Sequence, residues 1–210
     1  MIKILIADDH SIVREGLKQI VAQSPEMAVL DEAVNGQQVL DLVQKKEFDL
    51  ILLDIAMPGR GGIDTLKQLR IVKPAIPVLI LSMYPEDQYA VRAIKAGASG
   101  YLSKESAPEE LIGAIKKVAR GGKYVSAGLA EKLVGNLGPD TEKQDHTLLS
   151  DREYQVMIMI ASGKTVKEIG EELSLSVKTI STNRTRALKK MGMKNNAEMT
   201  YYAIKTGLVT

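Results

Sequence analysis

Apolar runs of strand length alternate with segments of helical period through the first 121 residues. Ile2–Ala7, Leu50–Asp54 and Val78–Ser82 are largely apolar stretches, the pattern of strands buried on both faces. Met27–Ala33 is a weaker run and Gly100–Ser103 a short one. Between them, Ile12, Val13, Leu17, Ile20 and Val21 share one helix face, and Val39, Leu40 and Val43 another. A third helix is expected from about Ile63 to Ile71. Tyr89, Ala93 and Ile94 serve a fourth, which Gly97 stops. Pro108 opens a fifth as a first-turn proline; Leu111, Ile112, Ile115 and Val118 face inward, and Gly121-Gly122 closes it. Five strand–helix alternations with short connections predict a doubly wound, five-stranded parallel α/β sheet covered on both faces.

The pattern thins between residues 122 and 147. A short helix is expected over Ala127–Val134, then a break at Gly135-Asn136-Leu137-Gly138-Pro139-Asp140 and a polar tether. Residues 148–210 carry four helical segments and no strand signal. Ser150 with Glu153 three later makes a capping box before Val156, Met157 and Ile160. Thr165 opens a second helix with Val166, Ile169 and Leu173 inward, and Gly170 allows a close neighbour. Ser174-Leu175-Ser176 is a tight turn, with Ser176 the N-cap of a third helix that buries Val177, Ile180, Ala187, Leu188 and Met191. A fourth, Ala197–Lys205, ends at Gly207. The expected domains are therefore 1–121, a linker at 122–147, and 148–210, the last a small all-α unit.

Charge separates the two domains more sharply than hydropathy does. Residues 1–121 hold 15 basic against 16 acidic side chains and 122–147 hold 3 against 4, while 148–210 hold 10 against 6, a net +4. A basic second domain after a neutral first one points toward nucleic acid. The absence of cysteine excludes disulfides and thiolate metal sites. No apolar run approaches the roughly 18 residues of a membrane helix, and the first residues run straight into a strand with no signal-peptide pattern, so a cytoplasmic protein without membrane partners is expected.

Candidate chemistry lies where strands end. Asp8 and Asp9 follow the first strand, Asp54 the third, Ser82 the fourth and Lys104 the fifth. In open α/β sheets function gathers at the carboxyl ends of the strands. Three carboxylates brought together repel unless a cation sits among them, and oxygen ligands without sulfur point to Mg²⁺. A lysine beside a hydroxyl and a metal is what a transferred phosphoryl group requires, and a carboxylate can be its nucleophile. The set reads as a phosphorylation site on Asp54. His10 adjoins the acids but has no second histidine nearby, and an exposed loop residue is expected.

Residues 1–121 resemble the receiver domain of bacterial two-component response regulators in Ile4-Leu5-Ile6-Ala7-Asp8-Asp9, Leu53-Asp54-Ile55-Ala56-Met57-Pro58-Gly59, Ile80-Leu81-Ser82 and Gly100-Tyr101-Leu102-Ser103-Lys104. The resemblance implies a flavodoxin-like sheet with Asp54 as phosphoacceptor. It places Asp9, Asp54 and the Ala56 carbonyl on Mg²⁺, with Asp8 helping through water. Ser82 and Lys104 would hold the phosphoryl group, and Tyr101 matches the switch aromatic that turns inward when Ser82 shifts. Ser82 stands where threonine is also common. Glu105 follows Lys104 where many receivers have proline, which leaves the geometry of that peptide open.

In the second domain, Lys178, Thr182, Thr185 and Lys189 fall at i, i+4, i+7 and i+11, with Ser181, Arg184 and Arg186 alongside. Two helices joined by a short turn, the second showing a basic, hydroxyl-rich face, match a helix-turn-helix reader. The segment from Leu149 to Ile204 resembles the LuxR-type domain in Leu149-Ser150-Asp151-Arg152-Glu153, Val166-Lys167-Glu168-Ile169-Gly170 and Ser176-Val177-Lys178-Thr179-Ile180-Ser181, and the domain order resembles the NarL/FixJ family. The resemblance implies Ser181, Thr182 and Thr185 on base edges, and Lys178, Thr179, Arg184, Arg186 and Lys189 on phosphates of double-stranded DNA. Asn183 stands where His or Tyr is frequent. The fourth helix matches the dimerisation helix, implying inverted-repeat sites and a homodimer when phosphorylated. A sensor histidine kinase is the implied phosphodonor and RNA polymerase a candidate partner. Two rivals stand beside this reading. A phosphatase of the haloacid dehalogenase type would need an acid two residues after Asp54, where Ala56 stands, so an enzyme acting on outside substrates is not expected. A DNA-binding protein with a receiver that is never phosphorylated would bind DNA with the same affinity after Asp54→Asn, whatever the phosphodonor.

Overall fold

The computed structural model describes residues 1–106, 108–126, 128–131 and 145–209. The chain forms two compact units, Met1–Glu131 and Lys132–Thr210. Most of the expected tether, and the latter part of the short helix expected over 127–134, lie outside the described residues; 128–131 are helical.

In the first unit, β1 (Ile2–Ala7), β2 (Met27–Ala33), β3 (Leu50–Asp54), β4 (Val78–Ser82) and β5 (Gly100–Ser103) form one sheet in the order β2-β1-β3-β4-β5. Every ladder is parallel. The connecting helices are α1 (Ser11–Ala22), α2 (Gly36–Lys45), α3 (Gly62–Val72), α4 (Glu86–Lys95) and α5 (Pro108–Ala119). Side chains alternate across each strand, so both faces must be covered. Ile4, Ile6, Leu50, Leu52, Leu79 and Leu81 pack with Leu17 and Val21 of α1 and Leu111, Ile115 and Val118 of α5. Leu5, Ile51, Leu53 and Ile80, alternating with them, are equally buried. Ile12, expected on the inner face of α1, is 85% exposed. It lies in the first turn, which projects past the end of β1, where no sheet remains to cover it.

Register sets the site. Ala7 pairs with Leu53, Asp54 with Leu81 and Ser82 with Ser103. Asp8 and Asp54 therefore stand level on neighbouring strands, with Ser82 one step and Lys104 two steps further along theirs. Strand order reverses between β1 and β3, which opens a crevice above them.

The second unit begins with a short 3-10 turn (Asp145–Leu148), followed by α6 (Asp151–Ala161), α7 (Val166–Glu172), α8 (Val177–Lys190) and α9 (Asn196–Lys205). Ser150 and Thr165 both complete capping boxes, with Glu153 and Glu168. Helix α6 is buried along almost its whole length, packed on by α8 and α9. The α7–α8 turn is tight: Ser174 takes φ 52°, and a Cβ on Gly170 would stand 2.8 Å from the Leu175 carbonyl oxygen. Val177, expected inward, is 52% exposed. No helix among the described residues is long and apolar enough to cross a membrane.

Candidate functional site

The strand ends bring Asp8, Asp9, Asp54 and Lys104 together. Asp8 and Asp54 are buried, and the Lys104 ammonium lies between them, 2.5 Å from Asp8 Oδ2 and 3.0 Å from Asp54 Oδ2. Burial pushes the Asp54 carboxyl above its ordinary range; Lys104 opposes that, while the like charge of Asp8 reinforces it. Burial works against the Lys104 charge, but Asp54 and Asp8 outweigh it and hold its pKa above the ordinary value. Lys104 is thus kept protonated beside a carboxylate that is costly to ionise. The peptide after Lys104 is trans.

Local turn chemistry places the acids. The His10 N–H donates to Asp8 Oδ1 at 2.9 Å, an Asx turn that folds the chain from β1 into α1. Arg14, one turn into α1, donates to the Asp8 carbonyl at 2.9 Å and is pinned by Glu32 of β2 at 2.8 Å. The sequence signals this only faintly, through a basic residue three before Leu17 and seven before Val21, on the helix face that is buried. His10 is exposed, as expected, yet its Nδ1 stands 3.0 Å from Asp9 Oδ1 and 3.3 Å from Asp8 Oδ1. Asp8, Asp9, His10 and Asp54 each offer a ligand atom within 4.8 Å of the others.

The acids fit a hard divalent cation. Asp8 Oδ2, Asp9 Oδ1 and Asp54 Oδ2 are buried oxygens to which no well-aligned hydrogen bond is made, despite the nearby ammonium. A cation bound by oxygens would offset their mutual repulsion. The backbone N–H of Ala56 favours the charged form of the Asp54 carboxyl, against the effect of burial. Ser82 is buried and its Oγ accepts from Tyr84 N–H at 3.0 Å. Tyr101 is turned inward, 2% exposed, with its hydroxyl donating to the Tyr84 carbonyl at 2.8 Å.

The exposed face of α8 carries Lys178, Thr179, Thr182, Thr185, Arg186 and Lys189, with Ser181 and Arg184 half-buried. Ser176 caps the helix by accepting from Thr179 N–H at 3.1 Å. Thr182 and Thr185 donate their hydroxyls to the carbonyls of Lys178 and Ser181, and the Asn183 amide donates to that of Thr179. Their outward lone pairs are acceptors. Arg184 is committed inside the unit, its Nε donating to Asn196 Oδ1 at 2.5 Å. Behind this face, buried Glu153 joins α6 to α8: its Oε2 accepts from Lys190 Nζ at 2.6 Å and from Ser150 N–H at 2.8 Å.

Comparison with known proteins gives two family matches. The response regulator receiver domain matches residues 4–116, and the luxR family of bacterial regulatory proteins matches residues 147–203. The response regulator UvrY of Escherichia coli strain K12 is 33% identical over 209 residues, covering 99% of this chain and 96% of its own. The response regulator GacA of Pseudomonas aeruginosa is 34% identical over 210 residues, covering 100% and 98%. Among solved structures, RcsB from Salmonella enterica serovar Typhimurium, bound to promoter P1flhDC with the phosphomimetic BeF3-, is similar with TM-score 0.66 and 25% identity, covering 96% of this chain and 97% of that one.

Proposed function

The chain belongs to the DNA-binding response regulators of two-component systems, of the NarL/FixJ family, and from this we propose that phosphorylation of Asp54 by a sensor histidine kinase governs its dimerisation on double-stranded DNA. The position of Lys104 between Asp8 and Asp54 carries the reading. An Asp54 oxygen bonds to phosphorus as the bond from phosphorus to the donor's imidazole nitrogen breaks, leaving an acyl phosphate. Lys104, held protonated, pairs with an equatorial phosphoryl oxygen, and the Ser82 hydroxyl donates to another. Asp9, Asp54 and the Ala56 carbonyl would hold Mg²⁺, with Asp8 acting through water. When bound, the ion supplies charge neutralisation between the incoming phosphoryl oxygens and the acids. Tyr101, already inward, holds the Tyr84 carbonyl two residues past Ser82. The same machinery accepts small phosphodonors slowly and hydrolyses its own acyl phosphate, without turnover of outside substrates.

In the second unit, Lys178, Thr179, Arg186 and Lys189 meet phosphates, and Ser181, Thr182 and Thr185 face base edges. Arg184 reaches DNA only by leaving Asn196. Short hydroxyls discriminate bases weakly, so water and DNA shape share the readout. Inverted-repeat promoter sites in the cytoplasm, with RNA polymerase as a partner, complete the reading. Intact mass after incubation with acetyl phosphate tests it. One phosphoryl adduct is expected on the wild type with Mg²⁺, and none without Mg²⁺ or on Asp54→Asn. An adduct on the mutant, or none on the wild type, would sink it.

A further inference from the structure

The chain does not leave the sheet after α5. Gly121, at φ +84°, turns it back, and Tyr124 pairs in parallel with Gly100 on the outer edge of β5. The Tyr124 N–H donates to the Ser99 carbonyl at 2.9 Å, and its carbonyl accepts from Tyr101 N–H at 3.2 Å. Gly100 makes the room: a Cβ there would stand 2.6 Å from the Tyr124 carbonyl oxygen. Side chains fasten the segment. The Tyr124 hydroxyl donates to Glu110 Oε1 at 3.0 Å, and the Ser126 hydroxyl to Glu86 Oε2 at 2.5 Å. Ser126 Oγ also accepts from Leu129 N–H at 3.0 Å, capping the helical turn 128–131. One hydroxyl thus ties α4 to the start of that turn.

Glu86 opens α4, four residues after Ser82. Between them, Tyr84 donates its N–H to Ser82 Oγ and accepts the Tyr101 hydroxyl on its carbonyl. Tyr101 in turn holds Tyr124. Ser82 therefore reaches the segment by two short routes, one through Tyr101 and one through Glu86 and Ser126. Beneath the segment lies a cavity of about 190 Å³ lined by Tyr101, Ser106, Tyr124 and Val125 among others. Tyr124 packs against the core and Leu129 is buried, but polar ties that border a cavity can open without unfolding the core. A sheet edge needs cover in any case, and a fixed cap would supply it; the ties to α4 are what a fixed cap would not need.

Resting on the Asp54 reading, we infer that Tyr124–Ser126 is a strap released by phosphorylation. Ser82 Oγ moves toward the phosphoryl group and away from Tyr84 N–H, the start of α4 shifts, and Glu86 leaves Ser126. The turn 128–131 loses its anchorage, and the connection to the second unit then starts near Gly122 instead of residue 131. Nine freed residues add a reach of about 30 Å at full extension. The signal thereby passes to the second unit as tether length.

Hydrogen–deuterium exchange on the full chain tests this, with intact mass read on the same samples. Amides of residues 123–131 should lose at least tenfold in protection when the wild type is phosphorylated with acetyl phosphate and Mg²⁺, and keep it in Asp54→Asn. Ser126→Ala should be unprotected without phosphodonor. Glu86→Ala, which leaves the cap of the turn intact, should be unprotected as well. Full protection in the phosphorylated wild type, or in Glu86→Ala, overturns the strap. Absence of the adduct removes the Asp54 reading and the strap with it, and the mass separates that failure from a strap that stays shut.

Discussion

Buried charge is the theme at the scale of single residues, and the chain handles it in two ways. Around Asp54 one ammonium serves two buried acids, an arrangement left short of positive charge and so open to a cation. Glu153 is instead fully provided for. Burial opposes its ionisation, but Lys190 and the Ser150 N–H outweigh that and hold its carboxyl below the usual range. A depressed folded pKa means the stabilisation is complete above the free value of 4.5 and is lost as pH falls through the folded value. Glu153→Gln should therefore unfold at lower urea than the wild type at neutral pH, and the gap should close as the solution is acidified below 4.5. A gap that persists in acid would assign Glu153 a packing role only. For scale, loss of the Ser150 cap alone should cost about 1 kcal/mol.

At the scale of elements, α8 divides its labour between scaffold and surface. Ile180, Ala187 and Leu188 are buried, and the opposite face is basic, with the Thr182 and Thr185 hydroxyl donors already spent on the helix. Lys178→Ala and Lys189→Ala should each weaken DNA binding across all sequences and reduce the slope of log affinity against log salt by about 1. Arg184→Ala should behave differently, lowering the melting temperature because it unties Asn196 at the start of α9. Equal salt slopes for all three variants and the wild type would remove α8 from the DNA interface.

At the scale of the whole molecule, two units with separate cores should not unfold as one. Scanning calorimetry should show two transitions. Mg²⁺ should raise only that of the first unit, by about 2.7 kcal/mol at a concentration roughly one hundred times its dissociation constant. Among the described residues the acid cluster lies wholly in that unit. A shift of both transitions together would mean that the ion acts on the chain as a whole.

How much of this was legible follows from range. Strand runs, helix faces, the Ser150–Glu153 capping box, the glycine stops and the acids at strand ends are written in neighbouring residues, because period, capping and turn chemistry act over a few positions. That Asp8, Asp54 and Lys104 meet could be expected only if their strands are neighbours, and the strand order that makes them so came from the fold. Exposure of Ile12 and Val177 could not, because periodicity gives a direction around a helix and not where its neighbour ends. Nor could Arg14 on Glu32, Arg184 on Asn196, or Tyr124 along β5. Those partners lie far apart in sequence, and only the packed fold decides which polar groups meet when each must replace the water it has lost.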